Sequence, residues 1–389
     1  MTPPARVQMA IELLDKIIVA ARENGPAADT IIATWFRERR FAGSKDRRAV
    51  RDHVYAAIRA FGMMPKNGRI AMVGLTKKDK ALASAFDGSN YGPPVIEQAE
   101  QRAALSPLAP WLAKLIDPAE QEALLGRAPL DLRVNRLHAS RDDVIGQFEG
   151  AEPIAHLPDG FRLPDNIVIE QHGAWRSGLI EVQDAGSQWI AEVCAAKPGM
   201  TVVDLCAGSG GKTLALAAAM RGEGRIIATD TNRDRIQRLV PRAERAGATV
   251  EARLLDPDKE MEVLADMAEG ADLVLVDAPC SGSGTWRRNP EARWRLTPDR
   301  LAAVTKLQSY VLKLGAGLVK PGGTLVYATC SLIDAEGATQ IERFLGKRPG
   351  WSADVLSLPV GRASGAGWRL TPAHDQTDGF FIARLRRSC

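Results

Sequence analysis

From Met200 onward, short apolar runs alternate with helical stretches, and this alternation constrains the fold more than any other feature of the chain. Residues 201–205, 225–230, 272–277 and 323–328 are apolar runs long enough for buried parallel strands and too short for helices. Between them lie stretches with helical character, such as 212–220 and 300–319. Alternating strands and helices imply a doubly wound α/β sheet. Ligands of such sheets bind beyond the carboxyl ends of the strands, so the residues that end each strand are the ones to inspect.

After the first run comes Asp204-Leu-Cys-Ala-Gly-Ser-Gly-Gly-Lys-Thr213. Its glycines permit a tight turn and a close backbone approach to a ligand. Cys206, Ala207, Gly208, Ser209, Gly210, Gly211 and Lys212 are therefore candidates for a cofactor loop. Roughly twenty residues on, Asp230 ends the second run, where a carboxylate can take ribose hydroxyls. Gly-Gly-Lys-Thr resembles the end of a P-loop, but that motif needs Gly five residues before Gly211, and position 206 is Cys. NAD fits the glycines as well; the Cys-containing turn and the later strand ends favour S-adenosylmethionine. Asp256, at the end of a third run, suits an adenine amino group and equally a helix N-cap before Pro257.

The fourth run ends in Asp277-Ala-Pro-Cys280 and the fifth in Ala328-Thr-Cys-Ser331. One cysteine at a strand end is ordinarily an inert buried residue. Two at neighbouring strand ends, beside a cofactor loop, suit a specific chemistry. Carbon 5 of cytosine is a poor nucleophile; a thiolate adding to carbon 6 makes carbon 5 enamine-like and able to attack a sulfonium methyl. A free thiol ionises near pH ~8.5, so such a site must favour the thiolate. A carboxyl at the ring nitrogen stabilises developing charge, and a second cysteine can assist loss of the carbon-5 proton. Methylation of exocyclic amino groups needs no nucleophile and would more naturally show Asn/Asp-Pro-Pro-Tyr in place of Asp-Ala-Pro-Cys.

The front of the chain is different. Val7, Ala10, Ile11, Leu14, Ile17, Ile18 and Ala21 share one helical face, as do Val50, Val54, Ala57, Ile58 and Phe61. Residues 1–70 carry 13 Lys/Arg against 7 Asp/Glu, which concentrates the chain's net charge of +4 there. Arg39, Arg40, Arg47 and Arg48 lie between the two helices, either as a phosphate-binding surface or as a solvated face. Residues 62–125 read as short helices broken by prolines. The stretch 128–172 reads as a small α/β module, with strands expected at 130–134 and 166–170 and a helix from Arg141.

An odd count of five cysteines without paired spacing argues against a secreted disulfide scaffold, and no C-x-x-C pair suggests a metal site. No apolar run approaches the ~20 residues that span a bilayer. The expectation is a cytoplasmic, reduced, monomeric protein with RNA as partner, no membrane and no metal.

In these motifs the chain resembles the Nol/Nop/Sun family of RNA cytosine carbon-5 methyltransferases, whose bacterial members include RsmB-like rRNA enzymes. The resemblance covers roughly 128–389. Pro129-Leu-Asp-Leu-Arg-Val-Asn135 is similar to the opening of the family's small RNA-binding module, and Gln183-Asp-Ala-Gly-Ser187 to its Gln-Asp-x-x-Ser segment. Cys206 to Lys212 resembles its cofactor loop, with Gly208-Ser209 replacing the usual Ala-Pro. Asp378-Gly-Phe-Phe-Ile-Ala383 resembles its closing strand, and 1–70 a shortened NusB-like RNA-binding domain.

The resemblance implies a Rossmann-like class I methyltransferase domain at 174–389, an α/β RNA-binding module at 126–173 and a helical region at 1–125. It implies S-adenosylmethionine as cofactor, held by the loop with Asp230, Asp256 and Asp277. Cys330 would be the nucleophile and Cys280 the product-release cysteine, with Asp277 at the base and Lys212 near the reacting groups. Thr329-Cys330 points to RNA, since DNA enzymes use the Pro-Cys cysteine. Arg133, Arg287 and Arg288 join the arginines above as expected RNA contacts; Arg293 and Arg295, interleaved with Trp286 and Trp294, also suit splayed bases and phosphates, and the alternative for the tryptophans is to pack the loop against the sheet. The substrate expected is 16S rRNA. Alternatives are tRNA with the same chemistry, or a non-catalytic ribosome-assembly factor on this scaffold.

Overall fold

A computed structural model of the chain describes residues 1–164 and 167–389. It divides into two compact units, one of Met1–Arg127 with Thr285–Pro298, the other of Ala128–Gly284 with Asp299–Cys389.

The first unit is helical. Helices α1 (Pro3–Arg22), α2 (Ala28–Glu38), α3 (Ser44–Ala60) and α4 (Gly68–Leu75) pack about the two apolar faces read from the sequence, all of whose residues are buried. Short turns at Lys80–Ala85, Pro110–Ala113 and Pro118–Ala123 follow, the last two opened by Pro in the first turn, where its missing N–H has no helical acceptor to serve.

The segment Thr285–Pro298 completes this unit by satisfying helix ends, which leave backbone groups without partners. Glu291, buried, accepts from the Ala28 N–H at the start of α2 (2.9 Å). Arg293, 1% exposed, donates to the carbonyls of Ile58 (2.6 Å) and Arg59 (3.0 Å) in the last turn of α3, and Trp294 Nε1 donates to the Phe61 carbonyl (2.6 Å). A carboxylate at a helix start and a cation at a helix end both oppose the helix dipole. Arg295 donates to the carbonyls of Gly25 and Pro26 (2.7 Å each).

These bonds correct the expectation that Arg293, Arg295 and Trp294 face RNA. Their donors go to carbonyls of the same unit, and Trp286 is fully buried. Arg287, also expected at RNA, is 6% exposed and hence part of the interior. Basic and aromatic residues interleaved in sequence look alike whether they cap helices or hold bases.

In the second unit, a small antiparallel sheet comprises β1 (Leu130–Val134), β2 (Glu152–Pro153), β3 (Gly160–Leu163) and β4 (Ile180–Val182), in the order β2-β3-β1-β4. The expected helix runs Arg141–Ile145, with Ser140 and Asp143 forming a capping box. The strand expected at 166–170 is absent over 167–170: the chain turns in a 3-10 helix at Ile169–Gln171, burying Ile169 and leaving Val168 exposed. Asn166 lies outside the described residues. A run of three apolar residues is too short for periodicity to separate strand from turn.

The larger sheet follows. Helices α5 (Ala185–Cys194), α6 (Gly211–Ala219), α7 (Arg233–Arg245), α8 (Pro298–Leu318) and α9 (Ala338–Leu345) accompany strands β5 (Thr201–Asp204), β6 (Arg225–Asp230), β7 (Glu251–Leu254), β8 (Ala271–Asp277) and β9 (Val319–Thr329). Then come β10 (Trp351–Ala353), β11 (Arg362–Ser364), β12 (Gly367–Leu370) and β13 (Phe380–Arg387). The order is β11-β12-β13-β9-β8-β5-β6-β7, with β10 beside β13. Strands β5 to β9 pair in parallel, and β13 joins β9 antiparallel. Separate cores fill its two faces, one with α8 and α9, the other with α5 and α6. Among the described residues, no helix is long and apolar enough to cross a membrane.

The small sheet is tied to this one through buried charge. Glu181 in β4, 1% exposed, accepts from Arg242 (2.6 Å) and Arg245 on α7. Arg133, expected to meet RNA, is likewise interior: its Nε donates to Gln183 Oε1 at 2.6 Å, and burial brings its pKa down to about 10. Alternation along β1 sets Arg133 on the face opposite Leu132 and Val134, but that face is covered too, by Gln183 among others, so Arg133 is not exposed to RNA.

Arg293→Ala should destabilise the helical unit by about 3 kcal/mol, since two buried carbonyls lose a charged donor. A lowered urea midpoint with unchanged signal from the second unit is the expected reading.

Candidate active site

The carboxyl ends of β5, β6, β8 and β9 converge on one edge of the sheet, and the residues singled out there in the sequence do meet. The turn after β5 needs glycine at two places. Gly208 and Gly210 have φ of 57° and 87°, and a Cβ on Gly210 would stand 1.9 Å from Leu239. Asp230, at the end of β6, holds the turn: its carboxylate accepts from the N–H of Gly208 (3.0 Å) and of Asn232 (2.7 Å). Arg242 donates to the Ser209 carbonyl (2.7 Å), and Ala207 N–H to the Thr229 carbonyl (2.8 Å).

On its other side the turn is open. Apart from the adjoining backbone and its neighbours, no atom of the described residues lies within 4 Å of where a Cβ would stand at Gly208 or Gly211. A backbone bare of side chains, at a helix N-terminus and between the Asp230 and Asp277 carboxylates, fits a nucleoside carrying a polar tail. Asp256 follows β7 with its side chain exposed.

Lys212, in the first turn of α6, reaches Asp277 at the end of β8: Nζ to Oδ2 is 2.6 Å. Burial opposes the ammonium charge, but Asp277 more than offsets it, and Cys330 adds in the same sense; the lysine is held above its ordinary range. Its Nζ also sits 5.8 Å from the Phe380 ring centre.

Strands β8 and β9 pair with Asp277 beside Ala328. Three residues beyond Asp277 is Cys280, and two beyond Ala328 is Cys330. Their Sγ atoms are 3.2 Å apart and both side chains are half-buried. The contact with Cys330, then burial, then the nearby Glu336 charge push the Cys280 thiol well above the ordinary range, so it stays a neutral S–H donor at neutral pH. Cys206 is also pushed up, by burial first and then by Asp204, Asp277 and Asp230. A neutral Cys206 is a wall of the loop rather than a second nucleophile.

Sequence reading missed the layer beneath. Glu336, fully buried, accepts from the Ser281 N–H (2.7 Å) and hydroxyl (2.5 Å), the Ser331 hydroxyl (2.7 Å) and Gln308 Nε2 (3.0 Å). Ser281 and Ser331 directly follow the two cysteines, which was the signal available. Asp204, at the end of β5, is also fully buried; Thr213 donates to its Oδ2 (2.7 Å), while Oδ1 has no partner among the described residues.

The arginines of the helical unit divide. Arg39 stacks on Trp35 (4.0 Å to the ring centre), and Arg47 Nε donates to the Ala42 carbonyl (2.7 Å). Arg40 and Arg48 are exposed, and Arg288 is half-buried.

A sequence profile of the family described as 16S rRNA methyltransferase RsmB/F matches residues 191–386. The probable ribosomal RNA small subunit methyltransferase B of Synechocystis sp. is 37% identical over 296 residues, which is 72% of this chain and 66% of that relative. The chain thus spans just under two thirds of that curated relative's length. Among solved structures, PH0851 aligns over 100% of both chains at 28% identity, with a TM-score of 0.80. A methyltransferase homolog protein from Pyrococcus horikoshii aligns over 69% of this chain and 90% of its own at 29% identity, with a TM-score of 0.60.

Burial pushes the Asp204 carboxyl up to about 7 from an ordinary 3.8. The folded protein therefore holds a proton there that the unfolded chain releases. This contribution to stability is complete below about pH 4 and is lost as pH rises through about 7, by about 4 kcal/mol at most. In Asp204→Asn, unfolding free energy measured across that window should lack this fall.

Proposed function

Because the chain belongs to the RsmB/F family of methyltransferases, within the Nol/Nop/Sun enzymes, we propose that it methylates carbon 5 of a cytosine in 16S rRNA, with S-adenosylmethionine as methyl donor and Cys330 as covalent nucleophile. One observation carries this reading: two thiols 3.2 Å apart at the ends of adjacent parallel strands, beside the Lys212–Asp277 pair.

S-adenosylmethionine supplies an electrophilic methyl group when bound; the loop 206–212, Asp230, Asp256 and Asp277 would hold it. The target cytosine must leave its stack to enter. The Cys330 thiolate adds to carbon 6, and the electron pair of the carbon 5–carbon 6 bond moves to make carbon 5 nucleophilic. Negative charge that develops on the pyrimidine ring is offset by the Lys212 ammonium, which Asp277 orients against the base. Once carbon 5 is methylated, its proton passes to water in the open site, the carbon 5–carbon 6 double bond re-forms and the sulfur of Cys330 departs as thiolate. Cys280, neutral and in contact with that sulfur, assists this last stage.

The same thiol pair and strand ends also suit tRNA cytosine; the name of the Synechocystis relative supports rRNA. Keeping Cys280, Cys330, Asp277 and Lys212 together speaks against a purely binding role.

Cys330→Ser should abolish turnover, while Cys280→Ser should accumulate a protein–RNA adduct that resists denaturing electrophoresis. Normal turnover by Cys280→Ser with no adduct would overturn the assignment. Bisulfite sequencing of rRNA from cells with and without the gene should show one cytosine losing protection; an unchanged rRNA profile counts against the substrate.

For RNA binding, Arg40 and Arg48 are the surface candidates. Charge reversal at both should weaken binding about tenfold and lower the slope of log affinity against log salt by about 2, one for each phosphate no longer neutralised. Unchanged binding returns them to a solvated face.

A further inference from the structure

A carboxylate buried without a cation costs several kcal/mol unless hydrogen bonds replace its water. Glu336 is fully buried, and its four donors are a backbone N–H, two hydroxyls and an amide, none of them charged. An apolar residue of similar volume would fill the space at less cost. The identity of the donors explains the carboxylate. Ser281 belongs to the loop that carries Cys280, and Ser331 to the loop that carries Cys330. Gln308, from α8, uses the same amide to reach the Pro279 carbonyl (2.9 Å), the residue before Cys280.

The Glu336 backbone is anchored to β9, since the Tyr327 hydroxyl donates to its carbonyl (2.8 Å). Ser283 extends the lacing: its hydroxyl meets that of Ser331 (2.9 Å) and accepts from Leu332 N–H (2.9 Å). Glu336 itself touches neither thiol in this network. It fixes the residue next to each of them.

We infer that Glu336 is a positioning residue, whose buried carboxylate locks the Pro-Cys loop to the Thr-Cys loop and so holds Cys280 and Cys330 within contact. Its place in catalysis rests on the two-cysteine reading above; its effect on thiol spacing does not. Four bonds that converge on one side chain from both loops and from α8 suit a part that sets a spacing between those loops. Two sulfurs on separate loops have no covalent reason to stay 3.2 Å apart. A shift of about 1 Å at such a site can cost about 100-fold in rate.

Thiol proximity can be read without RNA. Diamide oxidises two neighbouring thiols to a disulfide and is itself reduced to the hydrazine, at a rate set by how close they lie. The experiment uses the full chain with Cys389→Ser, which removes the exposed thiol, and follows the linked Cys280–Cys330 peptide by mass. Glu336→Ala should slow linkage about tenfold or more, and lower kcat by a similar factor. S-adenosylmethionine affinity, read at the separate loop 206–212, should be unchanged. Glu336→Gln keeps the lock: its oxygen accepts from Ser281 N–H and Gln308, and its NH2 donates to the two hydroxyl oxygens. Linkage there should stay within about threefold of the parent rate.

Linkage at the parent rate in folded Glu336→Ala overturns the inference, as does Glu336→Gln behaving like Glu336→Ala. If Glu336→Ala does not fold, Ser281→Ala with Ser331→Ala removes both hydroxyl arms and carries the same expectation of slowed linkage; a parent rate there overturns it equally. Normal turnover by Cys330→Ser would instead sink the two-cysteine reading and leave the linkage result standing.

Discussion

The parallel pairing of β8 with β9 is the constraint on which the site depends. Its register sets Asp277 beside Ala328, and each strand then runs into a loop with a cysteine two or three residues on. Parallel neighbours end at the same edge of a sheet, so residues far apart in sequence are delivered to one place. Slipping that register by one residue would exchange Val274, Val276, Leu325 and Tyr327, shaped to one core, with Leu273, Leu275, Val326 and Ala328, shaped to the other. The apolar packing that stabilises the sheet is therefore also what fixes the position of the chemistry. The loops complete what the strands begin: Gly284 N–H donates to the Cys330 carbonyl (3.0 Å), and Gly379 N–H to the Gly284 carbonyl (2.9 Å).

Around that edge, ionisable groups fall into distinct states by environment. Lys212 is charged because Asp277 faces it, and Cys280 is neutral because it lies against Cys330 and near the buried Glu336. Asp204 is held near neutrality by burial, with one oxygen unpartnered among the described residues. One sheet edge thus carries a cation, a neutral thiol and a carboxyl raised toward neutral pH within a few residues of each other. Separation of protonation states is what acid–base and nucleophilic steps on one substrate require.

Buried polar groups elsewhere serve construction. Glu181 collects two arginines from α7, and Arg293 closes the last turn of α3. Arg133 and Arg293 resemble RNA contacts in composition, yet both are interior. A guanidinium that caps carbonyls and one that binds phosphate use the same donors. Only the partner distinguishes them, and the partner is tertiary.

By itself the sequence determined the doubly wound sheet, the glycine turn after β5 and the two cysteine-bearing strand ends. Those features rest on local rules: apolar runs of strand length, positive φ that only glycine adopts freely, and motifs contiguous along the chain. It also marked the apolar faces of α1 and α3, since helical periodicity survives without knowledge of what covers it. It misplaced a strand at 167–170, where three apolar residues turned instead. Tertiary structure alone decided which arginines are interior, that residues 285–298 complete the helical unit, and that Glu336 lies under both cysteine loops. Each of these is a contact between residues tens to hundreds of positions apart, or a donor finding one acceptor among many. No periodicity encodes such a pairing; it exists only once the chain has closed on itself.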